Sequence, residues 1–434
     1  MLKRKMLDQL YDWRSEKHQE CLIIKGARQV GKSFIVEEFG RRAYRHFVKL
    51  DFIAQPEAKQ IFAGELTARA VYSGISLLVP GARFVAGQTL LFLDEIQECP
   101  EARTALKYLA LDDSIDVIAS GSLLGISFKE GQTSVPVGYE RQIEMRPLDF
   151  EEFLWARGYD DAALESLRGC VDRVEAVPRG VNERMMRHVR EYLAVGGMPA
   201  VVQAFVDSGN YSDVHDGQLA ILASYEDDIA RYATAPERVK ARACYRSLPR
   251  QLAKENTKFQ YSVVEKRGSA RKFEGSVDWL EGARLVLRCR AVSTPQYPLV
   301  AYEQEDKFRL YASDTGLLMG MYDFSMKAAV VNNTLAGPMK GGLYENLVAC
   351  MLASSGKPLR FWKSQNGARE IEFLVDDDSG VIPLEVKARR GGTISLNELL
   401  LRDDIDRGYK FVDGNVGRDG KKITLPLYMA ALLF

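Results

Sequence analysis

The 434-residue sequence lacks a net charge, long apolar runs and clustered cysteines. Lys plus Arg number 59 and Asp plus Glu also number 59, which argues against a histone-like polycation and an acidic tail protein. Without an uninterrupted stretch of about 18 apolar residues, no membrane span is expected, and the beginning of the chain predicts no signal peptide. The six cysteines stand singly and only four histidines occur, so we expect reduced thiols in the cytoplasm, not disulfides or a zinc site.

The pattern of apolar runs predicts an α/β protein of several domains. The hydrophobic share of 46% and charged share of 27% are typical of globular proteins. Apolar runs at 21–25, 89–93 and 115–119, separated by helix-length segments, predict a parallel sheet. Helical patterns follow, then a helix-helix-hairpin order typical of a winged helix, then strands at 370–375 and 381–386. The predicted domains are 1–150 (an α/β core with the parallel sheet), 151–235 (a helical lid), 236–330 (winged-helix-like) and 331–434 (a second α/β domain).

The segment Gly26–Ser33 satisfies the pattern G-x-x-x-x-G-K-[ST] between a predicted strand and a predicted helix. In such a loop, backbone N–H groups and the helix N-terminus surround nucleotide phosphates. We predict that Lys32 reaches the β- and γ-phosphates and that Ser33 binds Mg²⁺. The predicted nucleotide-binding residues are Gly26, Ala27, Arg28, Gln29, Val30, Gly31, Lys32, Ser33 and Phe34.

A second motif, Leu90–Glu95, consists of four apolar residues followed by two acids. A buried strand would deliver Asp94 at its carboxyl end, where it can hold Mg²⁺ through water. Glu95 would then polarise the attacking water, and Ser122, at the end of the next strand, would sense the γ-phosphate. An isolated strand-end turn is the alternative for Ser122. Together the motifs predict hydrolysis of ATP with Mg²⁺.

These motifs, together with several segments downstream, resemble a family of predicted AAA+ superfamily ATPases of bacteria and archaea. The resemblance spans nearly the whole chain and implies an AAA-type core joined to a C-terminal part of unknown function. The further matching segments are Val137–Glu140, Pro147–Leu154, Tyr192–Pro199, Asp227–Tyr232, Leu252–Asn256 and Tyr311–Leu318.

AAA-type enzymes complete their site with an arginine from a neighbouring subunit. The resemblance therefore implies a homo-oligomer, with a hexameric ring as the expected form. Arg141 and Arg146 are the preferred candidates for this arginine and Arg231 is a third. An ordinary surface or salt-bridging role is the alternative for each.

Near the C-terminus, acids and a lysine are predicted to converge. Glu385 and Lys387 lie two apart on a strand and so share a face, Glu372 lies on the adjacent strand, and Glu345 on a preceding helix. This arrangement resembles the PD-(D/E)xK nuclease core, in which acids hold a divalent metal for phosphodiester cleavage. The family usually has Asp where this chain has Glu372. The alternatives are a degenerate core that only binds nucleic acid, which we favour, and a solvated Glu/Lys pair.

The middle of the chain is strongly basic. Between residues 238 and 272 there are eleven basic residues and two acids, a local charge of +9. Six basic residues recur at every fourth position, which is typical of one helical face and of a phosphate-backbone footprint. A solvated helix face is the alternative. The predicted nucleic-acid residues are Arg238, Arg242, Arg246, Arg250, Lys254, Lys258, Lys266, Arg267, Arg271 and Lys272.

The sequence thus favours an oligomeric, ATP-driven DNA motor of helicase or translocase type, with ATP, Mg²⁺ and DNA as partners and no membrane. One alternative is a nucleotide-controlled switch in signalling or defence. A further alternative is an ATP-gated, metal-dependent DNA nuclease.

Overall fold

The computed structural model of the chain describes residues 1–16, 19–122, 138–253, 258–388 and 392–434, and they form two compact units. The N-terminal unit consists of Arg4–Arg146. The C-terminal unit consists of Pro147–Phe434 with Met1–Lys3. Each unit contains one sheet, so the α/β class predicted from the sequence is confirmed.

The N-terminal unit is a parallel sheet with helices between its strands. Short 3-10 helices lie at Pro56–Phe62 and Ile96–Glu98. The main elements are α1 (Lys5–Ser15), β1 (Cys21–Lys25), α2 (Lys32–Ala43), β2 (His46–Asp51), α3 (Ala68–Leu78), β3 (Thr89–Asp94), α4 (Pro100–Asp112), β4 (Asp116–Gly121) and β5 (Glu140–Glu144). The strand order is β2-β3-β4-β1-β5, with every pairing parallel.

The three strands expected from apolar runs are the central strands of this sheet. Leu90 to Leu93 are fully buried, and burial of each such side chain stabilises the fold by roughly 2 kcal/mol. The two edge strands escaped sequence reasoning because they are half-exposed and polar, as in Glu140–Glu144. Since all strands run in one direction, the carboxyl ends of β1, β3 and β4 meet at one edge of the sheet.

The C-terminal unit begins with helices and ends in a mixed sheet. Short 3-10 helices lie at Leu299–Tyr302 and Leu427–Ala431. The main elements are α5 (Phe150–Ala156), α6 (Asp161–Asp172), α7 (Arg179–Val195), α8 (Pro199–Ser208), α9 (Tyr211–Tyr232), α10 (Ala235–Arg246), α11 (Leu248–Leu252), α12 (Tyr261–Val264), α13 (Ala270–Gly282), β6 (Val286–Val292), β7 (Glu303–Ala312), α14 (Thr315–Gly320), α15 (Ser325–Val331), α16 (Pro338–Ser354), β8 (Arg360–Lys363), β9 (Glu370–Asp377), β10 (Gly380–Lys387), α17 (Ile394–Leu399), β11 (Gly408–Val412), β12 (Gly417–Asp419) and β13 (Lys422–Pro426).

Its eight strands lie in the order β12-β13-β11-β10-β9-β8-β6-β7. The β6–β7 hairpin, expected as the wing of a separate domain, pairs through β6 in parallel with β8. The backbone groups along the free edge of β6 are thereby satisfied by the following segment. The structure consequently has no break between sheets at residues 330–331, where the sequence predicted a domain boundary.

The helices α5 to α9 precede this sheet. Asp149 caps α5 through a capping box with Glu152, which satisfies two backbone donors at the helix start. Within the part of the chain that the structure describes, no helix combines the length and the apolar character needed to cross a bilayer.

Candidate functional site

The loop between β1 and α2 has a backbone that requires glycine at two positions. Gly31 has φ +95°, a left-handed conformation, and it caps the N-terminus of α2. A Cβ atom at Gly26 would lie 2.2 Å from the carbonyl oxygen of Met145, just after β5. The loop therefore lies close against the neighbouring strand end, with the N-terminus of α2 at its end. That geometry fits the phosphates of a nucleotide.

Lys32 is buried and turns back onto this loop. Its Nζ donates to the carbonyl oxygens of Gly26 at 3.0 Å and Ala27 at 2.8 Å. These carbonyl oxygens are neutral acceptors for the ammonium group of Lys32. The charged oxygens of a phosphate would be stronger acceptors. Of the other predicted loop residues, Val30 is fully buried, whereas Arg28, Gln29 and Phe34 are exposed.

Arg4 hydrogen-bonds to the loop, and the sequence did not predict this contact. Its Nη1 donates to the carbonyl of Val30 at 3.1 Å and its Nη2 to the carbonyl of Arg146 at 2.6 Å. The side chain is only 7% exposed. A lone arginine before an amphipathic helix carries no sequence signal for this role.

Asp94 lies at the carboxyl end of β3 and is 2% exposed. Its Oδ1 accepts hydrogen bonds from Ser33 Oγ at 3.0 Å and from Ser120 Oγ. The structure thus brings Ser33 and Asp94 together, as predicted. Ser120, at the end of β4, thus contacts Asp94 from the neighbouring strand. The predicted role of Ser122 as a sensor of the γ-phosphate stays a prediction. Ser122 is buried two residues further on.

Lys49, on β2, also contacts Asp94. Its Nζ lies 2.9 Å from Asp94 Oδ2 and 3.0 Å from Glu37 Oε1. Burial alone would lower the pKa of Lys49, but hydrogen bonds to Asp94 and Glu37 raise it above its ordinary value, so the lysine stays charged. Sequence reasoning missed this residue because β2 was not predicted as a strand.

Glu95 follows Asp94 in a left-handed backbone conformation, with φ +55°. This conformation is costly for a residue with a side chain and is found preferentially at functional sites. Gln97 Nε2 donates to Glu95 Oε2 at 2.5 Å. In this turn Glu95 leaves the line of β3. Gln97 orients its carboxylate.

The candidate trans-acting arginines make ion pairs within their own unit. Arg141 Nη1 lies 2.6 Å from Glu16 Oε2, and its Nε 3.3 Å from Glu20 Oε2. Arg146 Nη2 lies 3.0 Å from Glu144 Oε1. Arg231 is exposed near the end of α9. A trans-acting role for Arg141 or Arg146 would require these pairs to break.

Residues 18–154 match a family model described as "AAA domain". The N-terminal unit is an AAA ATPase domain. The recognition of an AAA-type core joined to a part of unknown function is confirmed, since residues 186–328 and 340–428 match two models described only as domains of unknown function. ATP and Mg²⁺ are the cofactors of this ATPase. No curated protein matches the chain significantly.

Solved structures that resemble the chain are P-loop ATPases of low sequence identity. The Walker-type ATPase of Pyrococcus abyssi is 14% identical over 74% of this chain and 96% of its own, with a TM-score of 0.43. The Aeropyrum pernix ORC2 protein is 13% identical over 76% and 92%, with a TM-score of 0.35. AMPPCP-bound DnaA from Aquifex aeolicus is 13% identical over 64% and 86%, with a TM-score of 0.29. The ATPase assignment rests on the family match and the loop geometry.

In the C-terminal unit, the predicted acids and lysine do converge. Lys387 Nζ lies 2.8 Å from Glu372 Oε1 and 3.0 Å from Glu385 Oε1. Both carboxylates raise the pKa of this lysine against the opposing effect of burial, so it stays charged. Burial raises the pKa of Glu385, whose Oε2 is buried without a hydrogen-bond partner among the described residues.

Glu345, on α16, is held by other neighbours. Tyr311 donates to Glu345 Oε2 at 3.2 Å, and Arg309 Nη1 lies 3.6 Å from the same oxygen. Burial, opposed by Arg309 and reinforced by Glu372, raises the pKa of Glu345 to about 7. Among the described residues, no group of three or more His, Cys, Asp or Glu has the spacing to hold a metal ion. The metal site predicted from Glu345, Glu372, Glu385 and Lys387 stays a prediction.

The basic segment is partly neutralised by Glu226, which lies outside the counted segment, and by Glu265, which lies within it. Arg246 makes two hydrogen bonds of 2.6 Å to Glu226 on α9, and Arg242 lies 3.7 Å from the same carboxylate. Lys272 pairs with Glu265, and Arg238 Nε donates to the carbonyl of Ala233. The every-fourth spacing does not follow one helix, since α10 ends at Arg246 and α11 begins at Leu248.

Among the remaining predicted nucleic-acid residues, Lys254 lies outside the described residues. The five others are exposed: Arg250, Lys258, Lys266, Arg267 and Arg271. The exposed basic surface of the segment is therefore smaller than the sequence count indicated.

Proposed function

We propose that the protein is an oligomeric DNA motor in which ATP turnover in the N-terminal unit changes how the C-terminal unit binds DNA. The observation that carries the DNA part is the exposed basic surface formed by Arg250, Lys266, Arg267 and Arg271. Residues 236–330 have the helix-helix-hairpin order of a winged helix, which supports this surface as the DNA-contacting one. The helical lid (151–235) and the nuclease-like segment (331–434) complete the proposed organisation.

At the nucleotide site, bound MgATP supplies a γ-phosphoryl group for transfer to water. Lys32 exchanges its two carbonyl partners for phosphate oxygens and neutralises their charge. Ser33 and Asp94 are the residues that would hold Mg²⁺, and Glu95 accepts the proton of the attacking water. Ser120 keeps the carboxylate of Asp94 in place. Arg141 and Arg146 remain the proposed trans-acting arginines, and a ring, with a hexamer expected, would present them.

The proposal is tested by the rate of ATP hydrolysis against single-stranded, duplex and branched DNA, together with strand separation and mass measurement with and without nucleotide. We expect DNA to stimulate hydrolysis and binding to weaken steeply with salt. A variant carrying Arg267→Gln and Arg271→Gln should bind DNA less well, whereas Lys422→Gln, on β13 of the same unit, is a matched control. DNA-independent hydrolysis combined with salt-insensitive binding would refute the proposal.

One observation favours the switch as a second candidate. Lys32 hydrogen-bonds to the carbonyl oxygens of Gly26 and Ala27. Asp94 pairs with Lys49, so MgATP would bind by replacing protein contacts at both residues. Slow turnover together with protein partners that depend on the bound nucleotide would favour the switch over the motor.

For the carboxylate–lysine cluster, we propose the degenerate nuclease-like core that binds nucleic acid without cleaving it. Arg309, a cation in addition to the motif lysine Lys387, lies 3.6 Å from Glu345, and Glu372 stands where the family usually has Asp. Incubation of DNA with the protein in Mg²⁺ or Mn²⁺ should leave it intact. Metal-dependent cleavage that is lost in Glu385→Ala or Lys387→Ala would instead support the nuclease.

A further inference from the structure

The sheet of the C-terminal unit carries a cavity of about 450 Å³ among β6, β7 and β8. This volume falls within the range of small-ligand sites, roughly 300–1,000 Å³. The cavity lies on β6, β7, β8 and β9, and it shares only Lys258 with the basic segment among its described lining residues. It is also outside the nucleotide loop, which belongs to the other unit.

The lining of this cavity is strongly basic. Lys258, Lys307, Arg309 and Lys363 line it with a single acid, Glu370, which leaves three positive charges in excess. The isolated bridge between Lys258 and Arg309 brings two of these cations onto neighbouring backbone positions. Glu370 is shared, since it pairs with Arg309 and its Oε2 lies 2.9 Å from Lys363 Nζ. One carboxylate thus serves two cations of the lining.

The cations repel one another. Burial, together with the charges of Arg309 and Lys258, lowers the pKa of Lys363. Like charges at close range are costly unless an anion lies between them. The cavity therefore has the electrostatics of an anion site.

Arg309 anchors the floor of the cavity. It is 1% exposed and packs over the ring of Phe361, with its Cζ 4.3 Å from the ring centroid. Its Nε is buried without a hydrogen-bond partner among the described residues. A buried guanidinium donor without a partner is expensive, and Arg309 is among the residues that line the cavity. Arg309 also contacts Glu345, so the cavity is adjacent to the carboxylate–lysine cluster.

We propose that this cavity binds the phosphate group of a nucleotide, either a free nucleotide or one within a nucleic-acid strand. The lysines neutralise the phosphate, and the fixed guanidinium of Arg309 orients it. A cavity of this volume also has room for the attached nucleoside. The proposal does not depend on the motor activity proposed above.

The test uses full-length protein carrying Lys32→Ala, so that the nucleotide loop does not contribute to binding. Calorimetry would measure thymidine, thymidine 5′-monophosphate and a short single-stranded oligothymidylate. We expect the monophosphate and the strand to bind and thymidine not to bind. Adding Lys307→Gln and Lys363→Gln should weaken phosphate-dependent binding by about tenfold or more, since charge-assisted contacts are lost. Lys422→Gln, on β13 of the same sheet, is the matched control and should change nothing.

Competition between the monophosphate and the strand shows whether the bound phosphate belongs to a free nucleotide or to a nucleic-acid strand. If they compete, the site recognises the phosphate of either; if only the strand binds, the site reads a strand. Both results support the proposal. Measurable binding of thymidine that is as tight as that of its monophosphate, or unchanged binding in the lysine variant, overturns it. The Arg267→Gln/Arg271→Gln variant should keep binding the monophosphate even if it loses duplex DNA, so failure of one proposal is separable from failure of the other.

Discussion

The two units each place a lysine about 3 Å from a buried carboxylate, with opposite consequences. In the AAA domain, Asp94 is held by two neutral hydroxyls and by Lys49, beside a loop shaped for phosphates. In the C-terminal unit, Lys387 bridges two carboxylates and Arg309 contacts a third. A serine hydroxyl can bind a metal ion itself, or it can release the carboxylate to the metal. A lysine or arginine cation competes with the metal ion for the carboxylate. The comparison teaches that similar lysine–carboxylate contacts differ in their other partners, which are neutral hydroxyls around Asp94 and a second cation beside Glu345.

The largest expected effect is at the phosphate loop. Lys32→Ala removes the cation that neutralises the phosphates, so ATP hydrolysis should fall by about 100-fold or more, with nucleotide binding lost. Steady-state phosphate release and nucleotide titration measure this. Lys107→Ala, exposed on α4 of the same unit, is the control. Retention of hydrolysis by Lys32→Ala would show that the loop is not the site.

Glu95→Gln separates binding from hydrolysis in the same domain. The amide cannot accept the proton from water, so turnover should fall by about 100-fold while ATP binding is retained. Nucleotide affinity and single-turnover rates measure the two quantities, with Glu101→Gln as the control. If Glu95→Gln weakened ATP affinity and left the turnover rate unchanged, Glu95 would be a binding residue instead.

Glu345→Gln tests the carboxylate–lysine cluster of the C-terminal unit. Because burial raises the folded-state pKa of Glu345 to about 7, the folded protein binds more protons than the unfolded chain between about pH 4.5 and 7. Stability should therefore fall as pH rises through this window, by on the order of 2 kcal/mol. The variant, which resembles the protonated acid, should lose that dependence.

Urea unfolding of both proteins from pH 4.5 to 8 measures this effect. Glu398→Gln, exposed on α17, is the control and should keep the wild-type profile. The same profile in Glu345→Gln as in the wild type would place the pH dependence elsewhere.

The smallest expected effect is at Lys49. Lys49→Gln removes the cation that competes with Mg²⁺ for Asp94, so the Mg²⁺ concentration for half-maximal hydrolysis should fall about threefold, in line with a partly exposed ion pair. Magnesium titration of the ATPase rate measures this, with Lys59→Gln as the control. An increased magnesium requirement would indicate that Lys49 helps to position Asp94 for the metal.

Sequence patterns succeeded where the chemistry is local. The loop Gly26–Ser33 and the pair Asp94–Glu95 follow from spacing alone, because a strand end and a helix start determine where those residues lie. The sequence patterns did not predict contacts between residues that are far apart in the chain. Arg4, Lys49 and Ser120 reach the site from other elements, and Glu226 neutralises arginines counted as part of a free basic face.

The amino-acid sequence by itself determined the α/β class, the AAA nucleotide loop and the acids that follow β3, since buried strands and glycine turns impose local geometry. Only the tertiary structure decided which charges remain uncompensated. It joined the β6–β7 hairpin to the C-terminal sheet and gave Lys387 and Arg309 to the carboxylates. It also gathered lysines from separate strands around one cavity. The physical reason is that electrostatic partnership depends on distances across the fold, and these distances are set by packing.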